Sequence, residues 1–289
     1  MTVTYRQMLL LYIIFILSAS SAYSSSIPMV EIPISFDHTN LPMVEMVIDK
    51  HHVKFYLDTG ARGLHLPKTI ADTIHGVNLT GRTVKSVDLA GKIREDAEFT
   101  IPELRMNGMI FRNVIGQYLS DWGVGKSEFQ LPVIGLDVLQ QKELVIDFPR
   151  KRILMSDAPI AFDTLYHSAQ DLPFTRADEG LVISAHIGKQ EWSFVLDCAA
   201  SISIIKASAS IDKALITPCT IDLPGGRCEA VSSHVNCGEE MIALRLIRMP
   251  LPEQFKPMGV IGYDFFSRCA LYLSKDHDTM KISQNKIHR

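Results

Sequence analysis

FYLDTGA at residues 55–61 and FVLDCAA at residues 194–200 are the two stretches that decide the fold. In each, a short apolar run rich in aromatic and β-branched residues predicts a strand, and the small residues after the aspartate predict a turn. Asp58 and Asp197 therefore stand at the ends of two similar strands, where a buried and lone negative charge is unfavourable. Such a placement indicates a chemical role for both carboxylates.

The two stretches belong to an internal repeat. Residues 41–66 align without a gap to residues 180–205, and apolar positions match apolar positions throughout. Two further blocks recur in the same order, VDLAG at 87–91 with IDLPG at 221–225, and VIGLDVL at 133–139 with VIGYDFF at 260–266. An ordered repeat of this kind indicates two copies of one folding unit of roughly 120 residues, a usual domain size.

The rest of the sequence predicts a mainly β protein. Short apolar runs of strand length recur between Gly, Pro and polar residues, and few stretches have a helical pattern. We therefore expect two similar β-barrel lobes with a central cleft. The expected segments are a signal peptide at 1–22, an N-terminal lobe at 27–157, a linker at 158–171 and a C-terminal lobe at 172–289.

The N-terminus has the order of a secretory signal, with Arg6 first, then an apolar run from Met8 to Leu17, then small residues as far as Ala22. The apolar run is about half the length of roughly 20 residues that spans a bilayer. We expect cleavage, export to a periplasm or the medium, and no stable membrane span in the mature chain. The alternative is an uncleaved N-terminal segment that anchors the protein.

Composition narrows the function classes. The formal net charge is −3 at pH 7, and no basic stripe suggests a nucleic-acid partner. The five cysteines include no C-x-x-C pair, so we expect no metal and no cofactor. In an exported protein a disulfide within the group Cys219, Cys228 and Cys237 is expected, while an odd number leaves at least one thiol unpaired or paired outside the chain.

Two aspartates brought close together have a definite chemistry. They cannot both ionise easily, so they share a proton and one pKa rises strongly. The ionised carboxylate can take a proton from a bound water, while the protonated carboxyl donates to the carbonyl oxygen of a substrate. Because each copy supplies one aspartate, the two copies must face each other.

The D-T-G triplet at residues 58–60 and the later apolar-apolar-Gly blocks resemble the aspartic peptidase superfamily, in its retropepsin-like and pepsin-like branches. The resemblance covers about residues 30–283. It implies an endopeptidase that hydrolyses polypeptides with a water activated between Asp58 and Asp197. Since one chain supplies both aspartates, we expect a monomer that binds an extended polypeptide in the cleft.

The resemblance also implies roles for the neighbouring residues. Thr59 and Cys198 would brace the dyad, while Gly60, Ala199 and Ser201 would shape or support its loops. A β-hairpin flap would close over the substrate, near 88–92 in one copy or 222–226 in the other. The expected flap and substrate-binding residues are Asp88, Leu89, Ala90 and Gly91, and then Leu223, Pro224 and Gly225.

The second motif departs from the family pattern, because Asp-Cys-Ala replaces Asp-Thr-Gly. Cys198 is a weaker hydrogen-bond donor than Thr, and Ala199 adds a methyl group where backbone contact is tight. The alternative function is therefore a catalytically weak or inactive pepsin-fold protein that binds peptides. Both carboxylates survive, which favours the active peptidase.

Overall fold

The computed structural model describes residues 29–87, 93–119, 131–166, 168–220, 228–237, 240–276 and 278–284. The predicted signal peptide lies outside the described residues. So do all seven predicted flap and substrate-binding residues, four of them at 88–91 and three at 223–225.

The described chain is mainly β. The strands before the middle of the chain are β1 (Val30–Phe36), β2 (Pro42–Ile48), β3 (His51–Asp58), β4 (Leu64–Leu66), β5 (Asn78–Val87), β6 (Ile93–Met106), β7 (Met109–Tyr118), β8 (Val133–Gly135), β9 (Glu143–Asp147) and β10 (Arg152–Ser156). Two one-turn helices, α1 (Lys68–Ala71) and α2 (Leu136–Leu139), follow β4 and β8. We call β2 to β8 the first copy.

The remaining elements repeat this sequence of strands. They are α3 (Phe162–Leu165), β11 (Gln170–Asp171), β12 (Phe174–Ala177), β13 (Gly180–Ile187), β14 (Gln190–Leu196), β15 (Ile204–Lys206), a 3-10 turn (Lys213–Leu215), β16 (Ile216–Pro218), β17 (Glu229–Cys237), β18 (Glu240–Met249), β19 (Gly259–Ile261), α4 (Tyr263–Phe266), β20 (Cys269–Leu273) and β21 (Met280–Gln284). We call β13 to β19 the second copy.

The two copies have the same strand order. Neighbouring strands run β2-β3-β8-β4-β7-β6-β5 in the first copy and β13-β14-β19-β15-β18-β17-β16 in the second. Each sheet curls until it pairs with itself, through Ile48 opposite Met106 in the first copy and His186 opposite His234 in the second. The repeat in the sequence is therefore a repeat in the fold, and the sheets are barrel-like.

One sheet contains strands from both halves of the chain. Its edge runs β11-β21-β20-β9-β10-β1, so β20 and β21 extend the sheet that β1 begins. The predicted linker 158–171 lies against this sheet and contains α3 and β11. Phe162 of α3 is buried and stacks on Tyr166 and Tyr272, with ring centroids 4.5 and 5.6 Å away.

The main apolar core extends through both copies and includes Phe55 and Leu57 of β3 with Phe194 and Leu196 of β14. A disulfide joins Cys219 to Cys228, which resolves one pair of the predicted group. Over the described residues, no helix is long and apolar enough to cross a membrane.

Candidate active site

Each candidate aspartate is placed by the buried end of a strand inside its sheet. β3 runs parallel to β8 and ends with Asp58 opposite Gly135. β14 runs parallel to β19, and the N–H of Asp197, the next residue after β14, donates to the carbonyl oxygen of Ile261 at 3.0 Å. The two carboxylates therefore emerge at the same position in the two copies.

The loops that follow the aspartates have matching hydrogen bonds. The N–H of Gly60 donates to Oδ1 of Asp58, and the N–H of Ala199 donates to Oδ1 of Asp197, both at 2.8 Å. Neither Gly60 nor Ala199 has a positive φ. The Ala199 methyl group is therefore compatible with the backbone of this loop, and the second motif keeps the geometry of the first.

A reciprocal set of hydrogen bonds ties the two loops together. The Thr59 hydroxyl donates to the carbonyl oxygen of Leu196 at 3.0 Å and accepts from the N–H of Cys198 at 2.9 Å. In the other direction, Sγ of Cys198 donates to the carbonyl oxygen of Leu57 at 3.2 Å. The thiol occupies the place that mirrors the Thr59 hydroxyl, although it is the weaker donor.

The two carboxyl groups form one electrostatic unit. The loops that carry them are joined by hydrogen bonds through Thr59 and Cys198, and only 6% of the Asp58 surface is exposed. Burial raises the pKa of Asp58, and repulsion from Asp197 raises it further, well above the usual value for an aspartate. Burial also raises the pKa of Asp197. One carboxyl of the pair therefore keeps a proton where a free aspartate would lose it.

Glycines allow the backbone to close tightly around the pair. A Cβ added to Gly60 would lie 3.0 Å from Cγ of Asp197, in the other copy. A Cβ on Gly135 would lie 2.6 Å from the carbonyl oxygen of Ala61, and one on Gly262 would lie 2.6 Å from that of Ala200. The two Gly blocks thus press directly on the loops that carry the aspartates.

Two further carboxylates hold these loops, and the sequence analysis did not include them in the site. Asp137, in the first turn of α2, accepts from the N–H of Gly63 at 2.6 Å. Asp264, in the first turn of α4, accepts from the Ser203 hydroxyl at 2.6 Å, and that hydroxyl accepts from the N–H of Gly262. In the sequence, an aspartate follows the glycine of each Gly block by two residues, and this recurrence is the signal that could have identified them.

Ser201 contacts the opposite half of the chain. Its side chain is exposed, and its hydroxyl donates to the carbonyl oxygen of Thr39 at 3.3 Å, in the turn between β1 and β2. Arg62, at the equivalent position in the first copy, donates to the carbonyl oxygen of Ala177 at 2.9 Å. Both residues reach a hairpin turn in the opposite half of the chain, so their contacts join the halves. A direct contribution of Ser201 to the dyad stays a prediction.

Comparison with known proteins gives a consistent result. A sequence model of the aspartyl protease family matches residues 44–138, while a sequence search of curated proteins found no match. The chain is similar in structure to an aspartic proteinase from Irpex lacteus, at 10% identity and a TM-score of 0.57, over 90% of this chain and 98% of that chain. The chain has the aspartic peptidase fold.

Two other solved structures that resemble this chain are named as globulins and not as proteinases. Basic 7S globulin from soybean matches at 11% identity and a TM-score of 0.56, over 91% of this chain and 96% of that chain. Conglutin gamma, a basic 7S globulin from lupine seeds, matches at 10% identity and 0.54, over 90% and 96%. The aspartic peptidase fold accounts for the convergence of Asp58 and Asp197, but such low identities carry no statement about activity.

Proposed function

We propose that this protein is an aspartic endopeptidase in which Asp58 and Asp197 form the catalytic dyad. The observation that carries the proposal is the pair itself, two carboxyl groups brought together by matching hydrogen-bonded loops, with repulsion from Asp197 raising the pKa of Asp58. A dyad of this kind has the two protonation states that general acid–base catalysis needs. The match of the aspartyl protease family to residues 44–138 gives independent support.

The chemistry follows from those two states. The ionised carboxylate takes a proton from a bound water as the water oxygen attacks the carbonyl carbon of the peptide bond. The protonated carboxyl donates its proton to the carbonyl oxygen, which gives a tetrahedral diol. As the diol collapses and its C–N bond breaks, one carboxyl of the pair donates a proton to the leaving nitrogen. The other takes a proton from a diol hydroxyl, so the dyad returns to its singly protonated form. Because the sites are coupled, the acid and base roles belong to the pair.

The substrate and compartment are part of the proposal. The substrate is an extended polypeptide, which a cleft between two similar sheets can hold through backbone hydrogen bonds. The charged, apolar and small-residue order of the N-terminus supports export by cleavage of residues 1–22, and a monomer is sufficient because one chain holds both aspartates.

A second candidate function is peptide binding with little or no hydrolysis. It is favoured by one feature of the site, the weak Cys198 thiol donor in place of a hydroxyl. A looser contact between the loops would lower the rate of hydrolysis more than it lowers the affinity for a peptide. The reason is that catalysis depends more steeply on the positions of the reacting groups.

Hydrolysis of unfolded casein tests the two candidates. We expect cleavage by the mature protein in mild acid, between the two raised pKa values of the pair, where one carboxyl is protonated and the other ionised. Asp58→Asn and Asp197→Asn should each lower kcat by at least ~100-fold, because each removes one half of the acid–base pair. Asp212→Asn, at an exposed cap of the 3-10 turn, is the matched control and should keep full activity.

The results separate the candidates clearly. Equal cleavage by the wild type and by both dyad variants would contradict the proposed mechanism. No cleavage at any pH, together with binding of a statine-type peptide that mimics the diol, would favour the binding protein.

A further inference from the structure

A turn from the second half of the chain packs on residues 58–62, which we call the Asp58 loop. The turn joins β12 to β13, and its ends are Ala177 and Gly180, which pair with each other. Gly180 has φ of +124°, and a Cβ added there would lie 3.6 Å from the carbonyl oxygen of Thr59 and 3.8 Å from Cα of Gly60. Since Thr59 and Gly60 directly follow Asp58, the β12–β13 turn touches the backbone that carries this aspartate.

Arg62 holds the other end of the same turn. Its Nη2 donates to the carbonyl oxygen of Ala177 at 2.9 Å and lies 3.7 Å from Oδ1 of Asp178. Both side chains of this ion pair are largely exposed, so the attraction between the charges is screened by water and salt. The hydrogen bond to the carbonyl oxygen depends on direction as well as distance, and it therefore does more to fix the position of the turn.

The equivalent turn in the first half of the chain is braced by its own side chain. This turn joins β1 to β2, and the hydroxyl of Ser201 donates to the carbonyl oxygen of Thr39 within it. Oδ1 of Asp37 accepts from the N–H groups of Thr39 and Leu41, at 2.8 and 2.9 Å. Oδ2 of Asp37 accepts from the Tyr56 hydroxyl at 3.1 Å. The β1–β2 turn therefore has several hydrogen bonds that do not involve Ser201.

The β12–β13 turn has no such internal brace. In the part of the chain that the structure describes, the side chains of Asp178 and Glu179 form no hydrogen bond inside the turn. Its side-chain contacts come from outside, from Arg62 and from the N–H of Lys256, which donates to Oε1 of Glu179 at 3.3 Å. The contact between this turn and the Asp58 loop thus depends more on one side chain, Arg62, than the contact on the other side depends on Ser201.

We propose that Arg62 is a positioning residue for the dyad, which clamps the β12–β13 turn onto the Asp58 loop and so keeps Gly60 against Asp197. The inference rests on the proposed function. Gly60 contacts Asp197 as well as the turn, because a Cβ added to Gly60 would lie 3.0 Å from Cγ of Asp197. A turn that is no longer held allows the Asp58 loop to move away from Asp197. Because catalysis depends steeply on the positions of the reacting groups, kcat then falls more than the affinity for the substrate.

The spacing of the dyad also affects the pH profile of the reaction. Burial raises the pKa of Asp58, and repulsion from Asp197 raises it further, so the pKa falls again as the two carboxyl groups separate. The other groups that face Asp58 are uncharged, since Gly60 offers an N–H and burial raises the pKa of the Cys198 thiol. Loss of Arg62 therefore moves the alkaline limb of the kcat profile to lower pH. A residue that only adds stability would leave this limb in place.

Substitution of Arg62 tests the clamp on a peptide that the wild type cleaves. Arg62→Met keeps the apolar stem but has no donor for the carbonyl oxygen of Ala177. We expect kcat to fall about 10-fold, KM to change by less than about 2-fold, and the alkaline limb to move to lower pH. Arg62→Lys keeps a charged donor and should restore most of the lost kcat. Asp178→Asn leaves the hydrogen bond to Ala177 in place and should keep full kcat.

Arg105→Met is the matched control. Arg105 lies on β6, is as exposed as Arg62 and pairs with Glu103 at 2.7 Å. This variant should keep the kcat, KM and pH profile of the wild type, and the melting temperature of every variant checks that it folds. If Arg62→Met does not fold, Arg62→Ser, which copies residue 201, is measured in its place. Failure of both to fold would make Arg62 a purely structural residue and overturn the inference.

Unfolding as a function of pH separates this inference from the proposed function. Repulsion within the dyad lowers the free energy of unfolding as pH rises, whether or not the protein cuts peptides. Between about pH 4 and pH 8, this fall should therefore be smaller in Arg62→Met than in the wild type. A wild type that cuts no peptide but shows this difference would refute only the proposed function. An unchanged pH dependence of unfolding, or an unchanged kcat with a raised KM, would overturn the inference.

Discussion

At the residue scale, the dyad makes stability depend on pH with a definite sign. The pKa of both Asp58 and Asp197 is raised above the ordinary value of 3.8, so the folded state binds protons more tightly than the unfolded chain. The free energy of unfolding must therefore fall as pH rises from about 4 towards the raised pKa values, and stay at the lower level above them. The pair of carboxyl groups thus destabilises the protein at neutral pH.

Asp58→Asn should remove most of that pH dependence. Asn keeps an oxygen that accepts from the N–H of Gly60 and gains an NH₂ group that can donate to Asp197. Because Asn is uncharged, it does not repel the Asp197 carboxylate. We expect the variant to be more stable than the wild type at pH 7 by at least ~1 kcal/mol, or about 2–4 °C in Tm. Urea unfolding measured from pH 4 to pH 8 checks this, and parallel curves for the two proteins would contradict it.

The thiol of Cys198 gives a second prediction at this scale. It is fully buried and donates to the carbonyl oxygen of Leu57, so Cys198→Ala leaves that oxygen without its donor. We expect a loss of about 1 kcal/mol and a several-fold fall in kcat. Cys198→Thr supplies a stronger donor and should keep or raise kcat.

The corresponding change at Cys269, a second buried cysteine, is the control. Cys269 lies in β20, away from the dyad, so Cys269→Ala should lower stability without a change in kcat. If Cys198→Ala and Cys269→Ala had the same effect on kcat, the thiol would have no special part in holding the loops.

At the scale of elements, the strand ends and the Gly blocks fix the position of the dyad. Gly135→Ala places a Cβ 2.6 Å from the carbonyl oxygen of Ala61, a backbone atom that can move only with the Asp58 loop. We expect kcat to fall by at least ~100-fold, because displacement of a catalytic group by about 1 Å has that effect. Gly262→Ala should act in the same way on the Asp197 loop.

Gly81→Ala is the control for this pair. Gly81 has φ of +76°, but a Cβ there has no neighbour within 4 Å. The variant should lose about 1 kcal/mol of stability and keep its kcat. Full activity in Gly135→Ala would show that the Gly blocks do not position the dyad.

The sequence predicted the elements that carry the aspartates better than it predicted their surroundings. The apolar run before Asp58 and its copy before Asp197 predicted both strands, because local pattern and repeat agreed. The contact of Ser201 with Thr39 could not be predicted from local pattern or from the repeat, because the two residues are distant in the chain. The contact between His65 and Gln117 was also missed, because the two residues meet only through the pairing of β4 with β7.

At the scale of the whole molecule, the shared sheet makes the two halves depend on each other. β9 is buried along its whole length and pairs with β20 from the far end of the chain, with Leu271 opposite Ile146. In β9 and β20 the apolar residues are consecutive and do not alternate with polar ones. The pattern therefore does not indicate the half to which each strand belongs, and the sequence predicted two lobes with a linker and not a common sheet.

A half-length chain should therefore fail to fold alone. Residues 29–157 end after β10 and expose the edge of β9, an apolar strand with unpaired backbone groups. We expect this fragment to be unfolded or aggregated, and the chain without residues 1–22 to unfold in a single transition. Circular dichroism and calorimetry test both points, and a folded fragment or two separate transitions would contradict the dependence of the halves.

The pairing of Thr59 with Cys198 has a consequence for how such a site can change. In an assembly of two identical chains about a symmetry axis, every substitution appears twice, so a threonine could not become cysteine on one side alone. Here Thr59 and Cys198 are separate positions of one polypeptide. Each can therefore be substituted while the other keeps its hydrogen bond between the two loops. The same freedom lets the two sides of the site differ at other positions too, such as Gly60 and Ala199, so a covalently joined pair can become asymmetric where a symmetric assembly cannot.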